Sequence, residues 1–246
     1  MPKSVLELAN PALFNRIADK LMAPLVVITT VLLAIGLYGA FFSSPADYQQ
    51  GETVRIMFIH VPAAWMSLFI YAGMCLSALG TLVWRHPMAD VAQKAAAPLG
   101  AAFTIVCLIT GSLWGKPMWG TWWEWDARMT SVLVLLLVYF GIIALWNAIE
   151  EPQRAGRAVA ILTLVGAVNL PIIKFSVDWW YTLHQPASVF RMGGPTIHPS
   201  MLWPLLVMAL AFTFLYLVVL IIRMRTELVT RRADRLEMLA AARKEA

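Results

Sequence analysis

Three observations predict an all-α integral membrane protein with six transmembrane helices and both termini on one side. The first is composition. Of 246 residues, 60% are hydrophobic and 13% are charged, and the mean hydropathy is +0.71. Soluble domains carry about twice that charge fraction. The second is spacing, because six apolar runs each come close to the ~20 residues that cross a bilayer as a helix. The third is the placement of Lys and Arg, which fall mainly at one end of those runs.

In chain order, residues 1–21 are mixed and carry Lys3, Arg16 and Lys20. No small-residue cleavage site follows a short apolar core, so a cleaved signal peptide is not expected. The spans are 22–42, 61–84, 95–114, 131–149, 158–175 and 201–222, with a charged and helical tail over 223–246. Together they read as one membrane domain over 1–246, without internal repeats or a soluble module. Asn169 and Pro171 break the fifth span late. Pro171 frees the carbonyl of Ala167, which Asn169 is placed to satisfy. Lys174 can snorkel outward from the end of that span.

Fourteen of the nineteen basic residues lie in the N-terminal segment, the two short charged loops and the tail. The positive-inside rule puts these in the cytoplasm. The net charge of +5 is therefore topology rather than a nucleic-acid footprint. Arg55, Lys116, Arg128, Lys174 and Arg191 remain on the outer side, the periplasm in a bacterial inner membrane. Cys75 and Cys107 lie inside spans and lack a C-x-x-C pairing, which favours apolar packing over a disulfide or zinc site.

One outer segment stands apart. Between the third and fourth spans, residues 114–128 hold five of the eleven tryptophans: Trp114, Trp119, Trp122, Trp123 and Trp125. Glu124, Asp126 and Arg128 are interleaved with them. An interfacial aromatic belt would need only one or two rings per helix end. Thr121-x-x-Glu124 matches a capping box and predicts a helix starting near Thr121. On such a helix Trp119, Trp122, Trp123 and Asp126 share a face, an aromatic platform edged by a carboxylate. Asp126 is also a candidate N-cap for the fourth span.

Three of the four histidines, His60, His184 and His198, are on the same outer side. His86 falls in a cytoplasmic loop, where a solvated residue is expected. Neutral imidazole is the commonest protein metal ligand. A zinc site needs three or four close ligands, and no such cluster is visible. Two outward imidazoles over an aromatic floor instead suit a haem held by its edge. His60 is one candidate axial ligand. His184 and His198 compete for the other, and His184 is preferred because Trp179, Trp180 and Tyr181 bring an aromatic wall with it. Haem propionates would call for basic partners, with Arg55, Arg128 and Arg191 as candidates and Lys116 and Lys174 behind them.

The run Trp-Gly-Thr-Trp-Trp-Glu-Trp-Asp-Ala-Arg at 119–128 and the run Pro-Ile-Ile-Lys-Phe-Ser-Val-Asp-Trp-Trp-Tyr-Thr-Leu-His-Gln at 171–185 carry a resemblance. With the six spans, they resemble the CcmC family of haem-handling proteins in system I cytochrome c maturation, over essentially the whole chain. Tyr181 stands where many members have Asn. The resemblance implies a site for haem b as cargo, built from Trp114, Trp119, Trp122, Trp123, Trp125 and Asp126, with His60 and His184 as axial ligands. It implies delivery of haem to the chaperone CcmE. It also implies work beside the ABC transporter subunits CcmA and CcmB and the small protein CcmD. ATP hydrolysis would then lie on CcmA, in keeping with the lack of a G-x-x-x-x-G-K-[ST] run here; an enzyme is not expected. No inverted repeat points to alternating access. A haem- or quinone-linked electron-transfer protein is the main rival, and a small-solute permease or structural subunit is a second.

Overall fold

Residues 9–245 are described by a computed structural model, entirely helical apart from turns and loops. Lys3 and the rest of the first eight residues lie outside the described segment. The helices are α1 (Pro11–Tyr38), α2 (Met57–Trp84), α3 (Pro87–Trp119), α4 (Ala127–Ala148), α5 (Pro152–Gly166), α6 (Asn169–Trp179) and α7 (Pro199–Glu245). With α5 and α6 counted as one broken crossing, six helical segments are long and apolar enough to span a membrane.

The helix ends follow from their cap residues. Asn10 accepts a hydrogen bond from the Ala12 amide at 2.9 Å and Pro11 opens α1, as N-terminal signals predict. The chain widens into a π-helical turn over Gly39–Ser43 at the end of α1. His86 is not merely a solvated loop residue: its ring accepts from the Met88 amide and caps α3. Arg85 before it takes a left-handed conformation, φ 50°.

Helices α2 and α3 form the central pair, with α4, α5 and α7 packed around them and α1 lying mainly on α7. The core between them is apolar, and its two central tyrosine hydroxyls are paired. The Tyr71 hydroxyl donates to the Thr163 carbonyl at 3.0 Å, and that of Tyr139 to the Ser67 carbonyl at 2.8 Å. Their rings meet edge to face with centroids 5.3 Å apart, a preferred aromatic geometry. Leu76, Val27, Leu137 and Val165 face outward with more than half their surface free. An apolar exterior of this kind belongs to a bundle solvated by lipid.

At the end opposite the tryptophan segment, Lys94 pairs with Glu227 at 2.9 Å. Arg231 bridges Glu227 at 2.7 Å and Asp90 at 3.0 Å. This network locks α3 to α7 where the tail leaves the bundle. Helix α7 has 47 residues, about 70 Å at 1.5 Å per residue. It is one continuous rod, so the sixth span and the tail are a single element.

Two sequence expectations need correcting. The third span does not stop at Trp114: α3 continues to Trp119 and ends on Gly120 in a left-handed conformation, φ 77°. The fifth crossing does break before Asn169, as expected, but Asn169 does not satisfy Ala167. Its side chain donates to the Ser131 carbonyl at 2.8 Å, and the Ala167 carbonyl takes the Leu170 amide at 3.0 Å. The residue next to the break thus ties α6 to α4.

Candidate functional site

Three connections gather at the end of the bundle that carries His60: the α1–α2 loop, the 120–126 loop and the α6–α7 loop. The expected helix from Thr121 is absent. Residues 120–126 are irregular, and the Thr121 hydroxyl donates to the nearby Trp123 carbonyl at 2.9 Å. The cap is Asp126, whose Oδ1 accepts from the Met129 amide at 2.7 Å and starts α4. A single helical face carrying Trp119, Trp122, Trp123 and Asp126 therefore does not exist. Trp119 is the last residue of α3, and the other rings ride the loop. Trp122 and Trp125 are exposed, Trp123 is half-buried with an unpartnered indole N–H, and Trp123 and Trp125 meet at 5.4 Å.

His60 stands in the first turn of α2 and is oriented by α3. Its Nδ1 lies 3.0 Å from the Cys107 carbonyl and 3.1 Å from the Thr110 hydroxyl. A carbonyl only accepts, so Nδ1 carries the proton. The Thr110 hydroxyl donates to the Val106 carbonyl at 2.6 Å, which turns its lone pairs toward the ring. The Nε2 lone pair of His60 is left free. The ring packs edge-on against Trp114, centroids 5.7 Å apart, and Trp114 is held in turn by an indole hydrogen bond to Gln50 at 2.9 Å.

His184 reaches the same arrangement from the α6–α7 loop. Its Nδ1 lies 3.0 Å from Asp126 Oδ2. A carboxylate accepts, so Nδ1 is again the donor and Nε2 again carries the lone pair. Asp126 therefore caps α4 with one oxygen and aims an imidazole with the other. Burial works to raise the Asp126 pKa. The hydrogen bonds from His184 and from the Met129 and Leu183 amides outweigh it and hold the carboxyl below its ordinary range. The ring of His184 rests against Trp119, centroids 4.8 Å apart, and its own amide donates to the Thr182 hydroxyl at 3.0 Å.

The two imidazoles share one flank of α3. His60 lies over Gly111, where a Cβ would sit 3.0 Å from its Cε1. The Trp119 ring, with His184 against it, folds back over Gly115, where a Cβ would sit 2.9 Å from Cε3. Gly111 and Gly115 are one turn apart, about 6 Å along the axis.

The remaining candidates divide. Arg55 pairs with Glu52 and donates to the Ala40 carbonyl at 2.8 Å. Arg128 donates to the Ser176 hydroxyl at 3.1 Å and reaches the Ile173 and Lys174 carbonyls at 3.4 Å. Both guanidiniums are thus engaged within the protein. Lys116 donates to the Gly120 carbonyl at 3.0 Å and lies 5.9 Å from the Trp122 ring. Lys174 and Arg191 are exposed and make no ion pair among the described residues. Trp180 is half exposed and meets Trp179 at 5.6 Å, and Trp179 stacks on Phe175. His198 is occupied elsewhere: its Nδ1 faces the Ser200 hydroxyl at 2.8 Å and the Ser200 amide at 3.3 Å, at the start of α7. Gln50, Thr110, Gly111 and Gly115 were not singled out by sequence. Only their placement against the rings distinguishes them.

Among the described residues, no three His, Cys, Asp or Glu side chains converge as a metal cluster. What the fold and rim define is a multi-pass membrane protein that presents two proton-directed imidazoles amid tryptophans at one end. The sequence profile described as Heme exporter protein C matches residues 4–239. Heme exporter protein C of Bradyrhizobium diazoefficiens is 60% identical over 240 residues, covering 98% of this chain and 91% of the relative. The Escherichia coli K12 protein of the same name is 48% identical over 225 residues, covering 92% and 91%. That of Paracoccus denitrificans is 43% identical over 230 residues, covering 93% and 95%. The chain belongs to the CcmC family and is a multi-pass protein of the inner membrane.

Proposed function

We propose that this chain handles haem for export in c-type cytochrome biogenesis, holding it as cargo at the periplasmic rim between His60 and His184. The observation that carries this reading is the matched state of the two rings. Each has its Nδ1 proton directed to an acceptor inside the protein, and each therefore offers a neutral Nε2 lone pair. Hydrogen bonding at the far nitrogen fixes the tautomer and raises the basicity of a ligating imidazole. One iron bridged by two such nitrogens needs them about 4 Å apart, at about 2 Å per metal–imidazole bond.

The tryptophans give the macrocycle a floor and an edge. Trp114 and Trp119 back the two imidazoles, and the exposed Trp122, Trp125 and Trp180 leave one margin open to solvent or to a partner. An open margin is what transfer to the haem chaperone CcmE requires, since an enclosed cargo would be unreachable. CcmA and CcmB as ABC transporter subunits, with CcmD, complete the assembly we infer, and ATP hydrolysis lies with the transporter. For the propionates we favour Lys174 and Arg191 over Arg55, Arg128 and Lys116, whose donors already serve internal carbonyls, a hydroxyl and Glu52.

The test is haem titration of the detergent-purified protein and its His60→Ala and His184→Ala variants, followed by absorption. The parent should give the bands of a six-coordinate low-spin haem, and each variant should lose them. Bands unchanged in both variants would overturn the ligand assignment.

A further inference from the structure

We propose that Gly111 and Gly115 are positioning residues that set the approach of the two imidazoles, a role that rests on the haem-site reading above. Helix interiors disfavour glycine relative to alanine, so two of them one turn apart on α3 call for a spatial cause. The structure supplies one at each position. A methyl at residue 111 would press on His60, 3.0 Å from Cε1 and 3.5 Å from Nδ1. The ring would have to give way, and its hydrogen bond to the Cys107 carbonyl on the same helix would lengthen or bend. A methyl at residue 115 would meet the Trp119 ring at 2.9 and 3.2 Å and the Thr121 carbonyl at 3.5 Å. Trp119 would be pushed outward, and it is the surface on which His184 rests.

Cys107, Gly111 and Gly115 repeat at i, i+4 and i+8 and so lie along one flank of α3. The flank does two things at once. Its Cys107 carbonyl fixes the proton of His60, and its bare glycines let both aromatic stacks lie against the helix backbone. Each glycine thus sets how closely its own ring can approach α3. Neither glycine touches the cargo; both act through the rings they admit.

The test compares Gly111→Ala and Gly115→Ala with Gly73→Ala and His60→Ala, all in the full-length purified protein titrated with ferric haem. Gly73 lies on α2 with no atom within 4 Å of an added Cβ, so its variant should match the parent. Gly111→Ala should lose low-spin bands in favour of high-spin ones, with affinity down about ten-fold or more, the scale of an outer-partner change. Free imidazole should restore the low-spin bands by replacing the displaced ligand. Gly115→Ala should do the same through His184. Alanine is the better helix former, so far-UV circular dichroism should be unchanged. Should Gly111→Ala not fold, Gly115→Ala decides the proposal alone.

A parent-like spectrum and affinity in the glycine variants, with His60→Ala altered, would overturn the spacer role and leave the haem site standing. A parent-like spectrum in His60→Ala as well would sink the ligand assignment itself.

Discussion

The two halves of the rim hold the same ring in the same tautomer by different means. His60 sits on α2 and is gripped by α3, through a backbone carbonyl, a threonine hydroxyl and the space over Gly111. All of these belong to the central helix pair. His184 sits on the α6–α7 loop and is gripped by Asp126 from a second loop and by Trp119 at a helix end. Helix–helix interfaces open only with much of the core, whereas loops open locally at lower free energy. The His60 half is therefore the fixed jaw and the His184 half the adjustable one. A site that must both take up and surrender a cargo gains from that asymmetry, because release can proceed by moving one loop.

The comparison breaks most completely when a ring is removed. His60→Ala and His184→Ala should each reduce haem affinity by more than the ~10–100-fold expected of an outer partner, as read by haem titration. If the jaws differ as argued, free imidazole should rescue His184→Ala more fully than His60→Ala, whose gap is walled by α3. Equal rescue would remove the distinction.

Asp126 comes next. Asp126→Ala removes both a cap worth about 1 kcal/mol and the orientation of His184. Asp126→Asn sharpens the reading, because asparagine caps as well as aspartate but has one acceptor oxygen for two donors. It should lower the melting temperature less than Asp126→Ala does and still weaken haem binding about 10–100-fold. Full haem affinity in Asp126→Asn would mean that His184 needs no carboxylate.

Acid should reach the loop jaw through Asp126. The Asp126 carboxyl titrates below its ordinary range in the folded protein. Its contribution to stability is then present above the unfolded-state value and is lost as pH falls through the folded one. Near-UV circular dichroism of the haem-free protein should show a tryptophan change below the usual carboxylate range, and Asp126→Asn should lack that step. The smallest effect belongs to Gln50→Ala. It frees the Trp114 indole at a cost of about 1 kcal/mol, so haem binding should weaken only several-fold and the low-spin bands should persist.

How much of this could be read from the residues alone depends on the kind of signal. Six apolar runs are long-range patterns, and the structure reproduces each crossing. The end of α3 was misread because Gly115, Lys116 and Pro117 look like a loop, yet Pro117 sits near the helix end, where one lost hydrogen bond matters little. The Thr121 cap failed against a better competitor: Asp126 reaches the Met129 amide and is followed by a 22-residue apolar helix. His60, His184 and the tryptophans stood out because such side chains are rare and chemically marked. Thr110, Gly111 and Gly115 did not, since a small residue inside an apolar run reads as packing until its neighbour is known. The propionate candidates were chosen by charge alone, and charge does not reveal that Arg55 and Arg128 already have partners.

Electron paramagnetic resonance of the ferric haem-loaded protein tests the central claim most directly. Two imidazoles meeting one iron through Nε2 should give a low-spin ferric signal that disappears from the His60→Ala and His184→Ala proteins. A high-spin signal in the parent, or a low-spin one that outlasts removal of both histidines, would contradict it.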